Sequence, residues 1–389
     1  MTILEDAESL FAVTRDLRRD FHRHPELGFQ ENRTAGIVAQ KLAGLGLPVA
    51  TGIAQTGVTA LLEGDKPGKV VLLRFDMDAL PIQEENDIEY ASEVPGVMHA
   101  CGHDGHTAIG LTVATLLSQK KAQLAGTIKF VFQPAEEGLG GAKAMIAAGV
   151  LEHPKPDVAL GLHLWNEKPT GWYGITTGAI MAAAENFEVK ITGKGSHAAL
   201  PHQGVDPILA AAQVITALQG IVGRNVPPME TAVVSVTSVW GGEAFNVIPS
   251  SVNLKGTIRS YSPQVQDLVL KRFNQVVESV AEGMGCQAKV NFTNISPALI
   301  NDAASTQLVI KVADRLFPHA QVDTNYCTMG SEDMAYFLEA LPGCFFLVGS
   351  ADEGRGLNAA HHHPRFDFDE KGLVNGAALL SEVVLDLMQ

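Results

Sequence analysis

Short apolar runs alternate with helical patterns through the first 165 residues and again after Pro297, and this alternation constrains the fold more than any other feature. The helical spacing of Leu10, Val13, Leu17 and Phe21 predicts a helix over 8–24, and a second over about 32–43 is stopped by Gly44 and Gly46. The runs VTALLE (58–63), VVLLRF (70–75), TIKFVF (127–132) and DVALGLHLW (157–165) have the length and branching of strands, with helices expected at 105–119 and 140–148. Strands without polar alternation are buried on both faces. The pattern therefore predicts an α/β fold whose mostly parallel sheet is covered by helices on each side.

Near residue 182 the pattern changes. FEVKITG, an Ala-rich helix over 205–223, the strands TAVVSVTSVW and VNLKGTIRS, a helix opened by Ser262-Pro263, and the strand AKVNFT follow one another. This β-α-β-β-α-β order predicts a ferredoxin-like α+β unit. The α/β alternation then resumes, with helices at 303–316 and 371–388 and the strand CFFLVGS between them. The expected organisation is a discontinuous α/β domain, 1–181 and 298–389, interrupted by an inserted domain at 182–297. A chain of 389 residues exceeds what one core usually organises, which agrees with two domains.

Charge narrows the partners. With 28 basic and 43 acidic side chains the net charge is −15, a field that repels nucleic acid and anionic membrane. No apolar run approaches the roughly 20 residues of a membrane span, and the N-terminus MTILEDAESL is acidic, so a cytoplasmic location is expected. Four cysteines, Cys101, Cys286, Cys327 and Cys344, are too few for a disulfide framework, which leaves packing, nucleophile or ligand roles. The 13 histidines are unevenly placed: His99, His103 and His106 fall together, and His361, His362 and His363 are consecutive.

Several polar groups lie just past predicted strand ends, where open α/β sheets bind their ligands. VVLLRF runs into Asp76-Met77-Asp78, TIKFVF into Gln133-Pro134-Ala135-Glu136-Glu137, and DVALGL into His163, while HACGHDGH (99–106) immediately precedes a helix. Thiolate, imidazole and carboxylate form a set suited to zinc, or to manganese where carboxylates dominate. Cys101, His103, Asp104, Glu137, His163 and His362 are more donors than one tetrahedral ion accepts, which points to two metals. Adjacent Glu136 and Glu137 allow one carboxylate to bind metal while the other moves a proton, and Asp78 is placed to orient a ligand. Cys286, Cys327 and Cys344 read as packing, and His22, His24, His153 and His319 as structural or surface residues.

The blocks RFDMDALPI, MHACGHDGHTA, FQPAEEG, GLHLW, KGSHAALPH, FNVIP and HHHPRFDFDE run in order along nearly the whole chain. Together they resemble the aminoacylase and carboxypeptidase-like family of metal-dependent peptidases and amidohydrolases. Within it they are similar to the group of hippurate hydrolase, N-acyl-amino-acid amidohydrolases and plant auxin-conjugate hydrolases. The resemblance implies a catalytic α/β domain with two divalent ions per subunit, zinc or manganese with cobalt or nickel as in vitro substitutes, and an inserted dimerisation domain. It implies Cys101, His103, Glu137, His163 and His362 as metal ligands and Glu136 as general base. His197 would complete a neighbouring subunit's site by polarising the scissile carbonyl, and Asn246 and Arg259 would hold the substrate's carbonyl and carboxylate. Two positions depart from the family pattern: Asp76-Met77-Asp78 stands where many members have His-x-Asp, and His361 and His363 replace an apolar and a small polar residue. The implied activity is hydrolysis of a small-molecule N-acyl amino acid by a homodimer or homotetramer. The rival readings are a dipeptidase or carboxypeptidase, a silent carboxylate-binding protein, and a redox sensor built on Cys101.

Overall fold

The apolar runs assemble into an eight-stranded sheet with the order Val49–Ile53, Gly57–Glu63, Ala125–Gln133, Lys66–Asp76, Val158–Pro169, Gly343–Ala351, Trp172–Gly174, Gln321–Asp323. The four central strands, from Ala125–Gln133 to Gly343–Ala351, are mutually parallel. Antiparallel pairing is found toward the edges, in the hairpin of Val49–Ile53 with Gly57–Glu63, between Gly57–Glu63 and Ala125–Gln133, and between Gly343–Ala351 and Trp172–Gly174. Every residue of Gly343–Ala351 is buried, as expected of a central strand covered on both faces.

This computed structural model describes residues 2–389, and the chain divides into two units. The unit holding the large sheet comprises residues up to Ile180, Ile300–Cys327 and Asp333–Gln389; the other comprises Met181–Leu299 and Thr328–Glu332. In the first, Phe75, Phe130, Phe132, Phe346 and Leu160 form the middle of the core with Ile109 and Val113 of the helix His103–Gln119. Burying each such side chain contributes about 1.5–3 kcal/mol. The helix expected over 8–24 is Phe11–Arg23, preceded by a separate helix, Ile3–Ser9, which starts at a Thr2–Glu5 capping box.

The second unit has a four-stranded antiparallel sheet in the order Ala232–Trp240, Ser251–Ser260, Ala183–Thr192, Gln287–Ser296. With the helices Pro207–Arg224 and Pro263–Gly283 this is the ferredoxin-like arrangement. Both helices begin with proline behind a capping residue: Asp206 accepts from the Ile208 and Leu209 N–H groups, and Ser262 from that of Val265. Pro207–Arg224 is long and apolar enough to pass as a membrane span, but its Ala210, Ala211, Val214, Leu218 and Ile221 face enters this unit's core beside Phe187 and Phe273. Cys286 and Cys344 are buried as packing residues, whereas Cys327 is exposed, so its expected packing role is corrected: it lies in the irregular stretch after Gln321–Asp323, outside any core-facing strand.

A buried ion cluster fixes the start of helix His103–Gln119. The Arg18 guanidinium, fully buried between the rings of Tyr90 and Phe368, donates to Asp104 and Asp367 at 2.8 Å each and to Glu370 at 3.4 Å. His22 reaches the same Asp104 oxygen at 2.8 Å. Burial pushes the Asp367 carboxyl up, but Arg18 outweighs it and holds the pKa below the usual carboxylate range. Such a group stabilises the fold above its unfolded pKa of about 3.9, and that contribution disappears as pH falls through the lower folded value. Asp367→Asn is therefore expected to melt at a lower temperature than wild type at pH 7 and to lose less of its remaining stability between about pH 5 and pH 3, as thermal unfolding across that range would show.

Candidate metal centre

The parallel strands bring their carboxyl ends to one level. Asp76 pairs with Gln133, Arg74 with Gly161, and Leu347 with His163, so the segments after Asp76 and Gln133 emerge beside His163. Helix His103–Gln119 opens at the same place after Gly102, whose φ of 92° lies in the left-handed region where glycine carries no steric penalty. Past Gln133 the chain turns through Ala135, a non-glycine residue at φ 55°. That turn is held by Glu31, which accepts the Ala135 N–H at 2.9 Å with one oxygen and the Thr56 hydroxyl at 2.5 Å with the other. The held turn presents Glu136 and Glu137 together.

Hydrogen bonds orient each imidazole and decide which ring nitrogen is turned toward the patch. His103 makes an Nδ1 hydrogen bond to the Asp78 carbonyl oxygen at 2.9 Å, which turns Nε2 toward the patch. His163 donates from Nδ1 to the Leu164 carbonyl oxygen at 2.6 Å, leaving its Nε2 3.5 Å from Cys101 Sγ. His362, at φ 65°, donates its N–H to the Ala100 carbonyl oxygen at 2.7 Å and places Nε2 3.2 Å from Glu137 Oε1. Three of the resulting donor triplets, each with its atoms within 4.8 Å of one another, are Cys101, His103 and His163; Cys101, Glu137 and His362; and His103, Glu136 and Glu137. Cys101, His103 and Glu137 are shared, so the triplets form one connected patch.

The buried atoms of this patch fit a cation. His103 Nε2 is buried without a hydrogen-bond partner, and Glu137 Oε1, otherwise unpartnered, has His362 Nε2 3.2 Å away; a buried polar atom left unsatisfied costs about 1–3 kcal/mol. A divalent ion satisfies both atoms, and sulfur, nitrogen and oxygen donors together suit zinc. Burial raises the Cys101 thiol pKa, and the His163 pKa is pushed well below its ordinary value by burial and the neighbouring His106 and His361 rings. The Cys101 sulfur and the Glu137 carboxylate beside His362 raise its pKa to about 10. Glu136 accepts the Asp333 N–H at 3.3 Å.

Other polar residues here brace the patch. His106 accepts the Leu164 N–H on Nε2 at 2.9 Å and donates from Nδ1 to Asp76 at 2.6 Å, so neither nitrogen has a lone pair to offer. The second Asp76 oxygen takes Arg74 Nη1 at 2.6 Å, and Arg74 also donates to Gln133 and to Asp333. Burial pushes Asp76 up, yet His103, His106 and Arg74 hold its pKa well below the usual range. Asp104, counted among the donors from sequence, is instead directed away by Arg18 and His22, so that expectation is corrected. Asp78 accepts the Glu137 N–H on Oδ2 at 3.0 Å and lies with Oδ1 3.3 Å from His103 Nδ1. Sequence reasoning missed Arg74, Asp333 and Glu31; only Arg74, a cation inside an apolar strand, carries a visible signal.

The remaining candidates lie in the second unit. His197 is exposed on a two-residue strand paired with Val247–Ile248, and its Nδ1 accepts the Ala199 N–H at 3.0 Å. Asn246 is exposed beside it and accepts the Ala198 N–H on its carbonyl at 3.0 Å. Arg259 stands on Ser251–Ser260 with Nη1 buried and without a hydrogen-bond partner.

Comparison with known proteins identifies the family. The model of peptidase family M20/M25/M40 matches residues 72–386. An N-acetyl-L-cysteine deacetylase of Bacillus subtilis is 40% identical over 366 residues, covering 94% of this chain and 86% of the relative. An IAA-amino acid hydrolase of Arabidopsis thaliana is 41% identical, covering 93% of this chain and 83% of the relative. The crystal structure of a dinuclear metal binding peptidase from the M20 family of Bacillus subtilis superposes with a TM-score of 0.86 at 34% identity, covering 98% of this chain and 99% of that one. On the matched length and these identities, the chain belongs to peptidase family M20/M25/M40 and is a metal-dependent amidohydrolase of that family.

Proposed function

We propose that this chain hydrolyses the amide bond of N-acyl-L-amino acids, releasing a carboxylic acid and an amino acid. The observation that carries the reading is the pairing of Glu136 with Glu137 on one held turn, both with a carboxylate oxygen within 4.8 Å of the His103 donor nitrogen. One carboxylate serves as ligand, and the other stands beside the reacting centre as a base. The names of two relatives, an N-acetyl-L-cysteine deacetylase and an IAA-amino acid hydrolase, describe chemistry of this class in those proteins.

In this reading Cys101, His103, Glu137, His163 and His362 hold two divalent ions, zinc or manganese. When bound, these ions supply Lewis acidity toward the scissile carbonyl and make the attacking water more acidic. Asp78 keeps His103 and Glu137 oriented toward them. Glu136 accepts the water proton on a carboxylate oxygen and returns it to the leaving nitrogen. His197, exposed in the inserted unit, donates to the developing oxyanion of a neighbouring subunit in a homodimer, and Asn246 holds the substrate carbonyl. The unpartnered Arg259 Nη1 supplies a donor for the substrate's free carboxylate, a pairing that favours bidentate geometry.

Glu136→Gln is expected to lower kcat by about 10²–10⁴-fold while elemental analysis finds the wild-type metal content; turnover near wild type would remove Glu136 from the role of base. N-acetyl, N-benzoyl and indole-acetyl amino acids are the substrates to screen on zinc- or manganese-reconstituted protein. Arg259→Leu is expected to raise KM for those hydrolysed by roughly 10–100-fold, the loss of a hydrogen bond between charged groups. Cleavage confined to free dipeptides would contradict the substrate class. Sedimentation of active protein as a dimer is also expected, and an active monomer would rule out the trans role of His197.

A further inference from the structure

Of the three consecutive histidines, His361 has both ring nitrogens engaged by groups other than a carboxylate. Its Nε2 accepts the Asn166 backbone N–H at 3.2 Å. Asn166 is itself firmly placed: it is 1% exposed, its Nδ2 donates to the Ala359 and Asp367 carbonyl oxygens at 2.9 Å each, and its Oδ1 accepts the Ser350 hydroxyl at 3.3 Å. A ring nitrogen that accepts an N–H carries no proton, which excludes imidazolium and puts the single proton of the neutral ring on Nδ1. That nitrogen faces Cys101 Sγ at 3.8 Å. The ring is kept in this attitude between Trp165 and Phe366, with centroids 4.9 and 5.1 Å away.

We propose that His361 is a positioning residue that donates an Nδ1–H···S hydrogen bond to the Cys101 thiolate, fixing the sulfur as a ligand and setting its donor strength. The inference rests on the proposed ligand role of Cys101. It divides the HHH run by function. His361 has no lone pair for a metal and serves the sulfur; His362 turns Nε2 toward Glu137; and His363 accepts the Arg365 N–H at 3.0 Å, closing the turn. Hydrogen bonding around a ligand thiolate lowers the energy of the sulfur lone pairs, so a thiolate without that bond transfers charge to a metal at lower energy.

The test uses full-length protein stripped of metal and loaded with Co²⁺ alone, read by the sulfur-to-cobalt charge-transfer band and by Co²⁺ affinity in competition with a chelator. His361→Phe keeps a ring between Trp165 and Phe366 but removes the donor. It is expected to move the band to longer wavelength and to weaken Co²⁺ binding by about 10–100-fold. His361→Asn, whose amide N–H stands near the Nδ1 position, is expected to return both toward wild type, which a purely space-filling role for the ring would not do. A band in His361→Phe at the wild-type position overturns the proposal while leaving Cys101 a ligand. Absence of any sulfur-to-cobalt band in the wild-type protein overturns the ligand reading of Cys101, and the proposal with it.

Discussion

Asp78 accepts from His103 Nδ1 through its backbone carbonyl at 2.9 Å and from the Glu137 N–H through its side chain at 3.0 Å, so the strand-end segment, the helix start and the glutamate turn share one anchor. The anchor determines chemistry as well as position. By accepting from Nδ1 it turns the buried Nε2 of His103 inward, and by taking the Glu137 N–H it directs that carboxylate toward the same point. Two electron-pair donors aimed together in a dry interior need either a shared proton or a cation, and a divalent ion that displaces the proton satisfies both.

Around this centre the other buried acids are held by hydrogen-bond and ion-pair partners of their own. Asp76 is held by Arg74 and His106, and Asp104 by Arg18 and His22, in contacts of 2.6–2.8 Å. Their charge is thereby spent on fixing the strand end and the helix start. Cys101, Glu137 and Glu136 are left to face the centre. Removing Arg18 or Arg74 would leave a buried carboxylate uncompensated, which typically costs about 3–5 kcal/mol. The precision of the centre therefore depends on cations that never touch it.

Much of this was legible in the sequence because strands and ligands obey short-range rules. The apolar runs ending in Asp76, Gln133 and His163 gave both the sheet and the level of the site, since parallel strands place their carboxyl ends together. The β-α-β-β-α-β order likewise gave the second unit's topology directly. What was not legible is long-range and tautomeric. Asp104 sits in the densest ligand motif of the chain yet pairs with Arg18, 86 positions away, and no spacing rule reports such a contact. Glu31 holds the Ala135 turn across 104 positions for the same reason. In HHHPRFD the three imidazoles are equivalent as letters. They separate only when the Asn166 N–H takes one nitrogen of His361 and a backbone bond to Ala100 swings His362 toward Glu137.

The central claim is that the five residues Cys101, His103, Glu137, His163 and His362 form one dinuclear site, in which Cys101 joins the His103–His163 donors to the Glu137–His362 donors. Metal titration of the stripped protein with Zn²⁺, followed by calorimetry in wild type and in Cys101→Ala, tests it most directly. The account predicts two equivalents of Zn²⁺ per chain in wild type and weakened binding of both in the variant. Failure of the wild-type protein to bind Zn²⁺, or two equivalents bound equally well without the Cys101 sulfur, would contradict it.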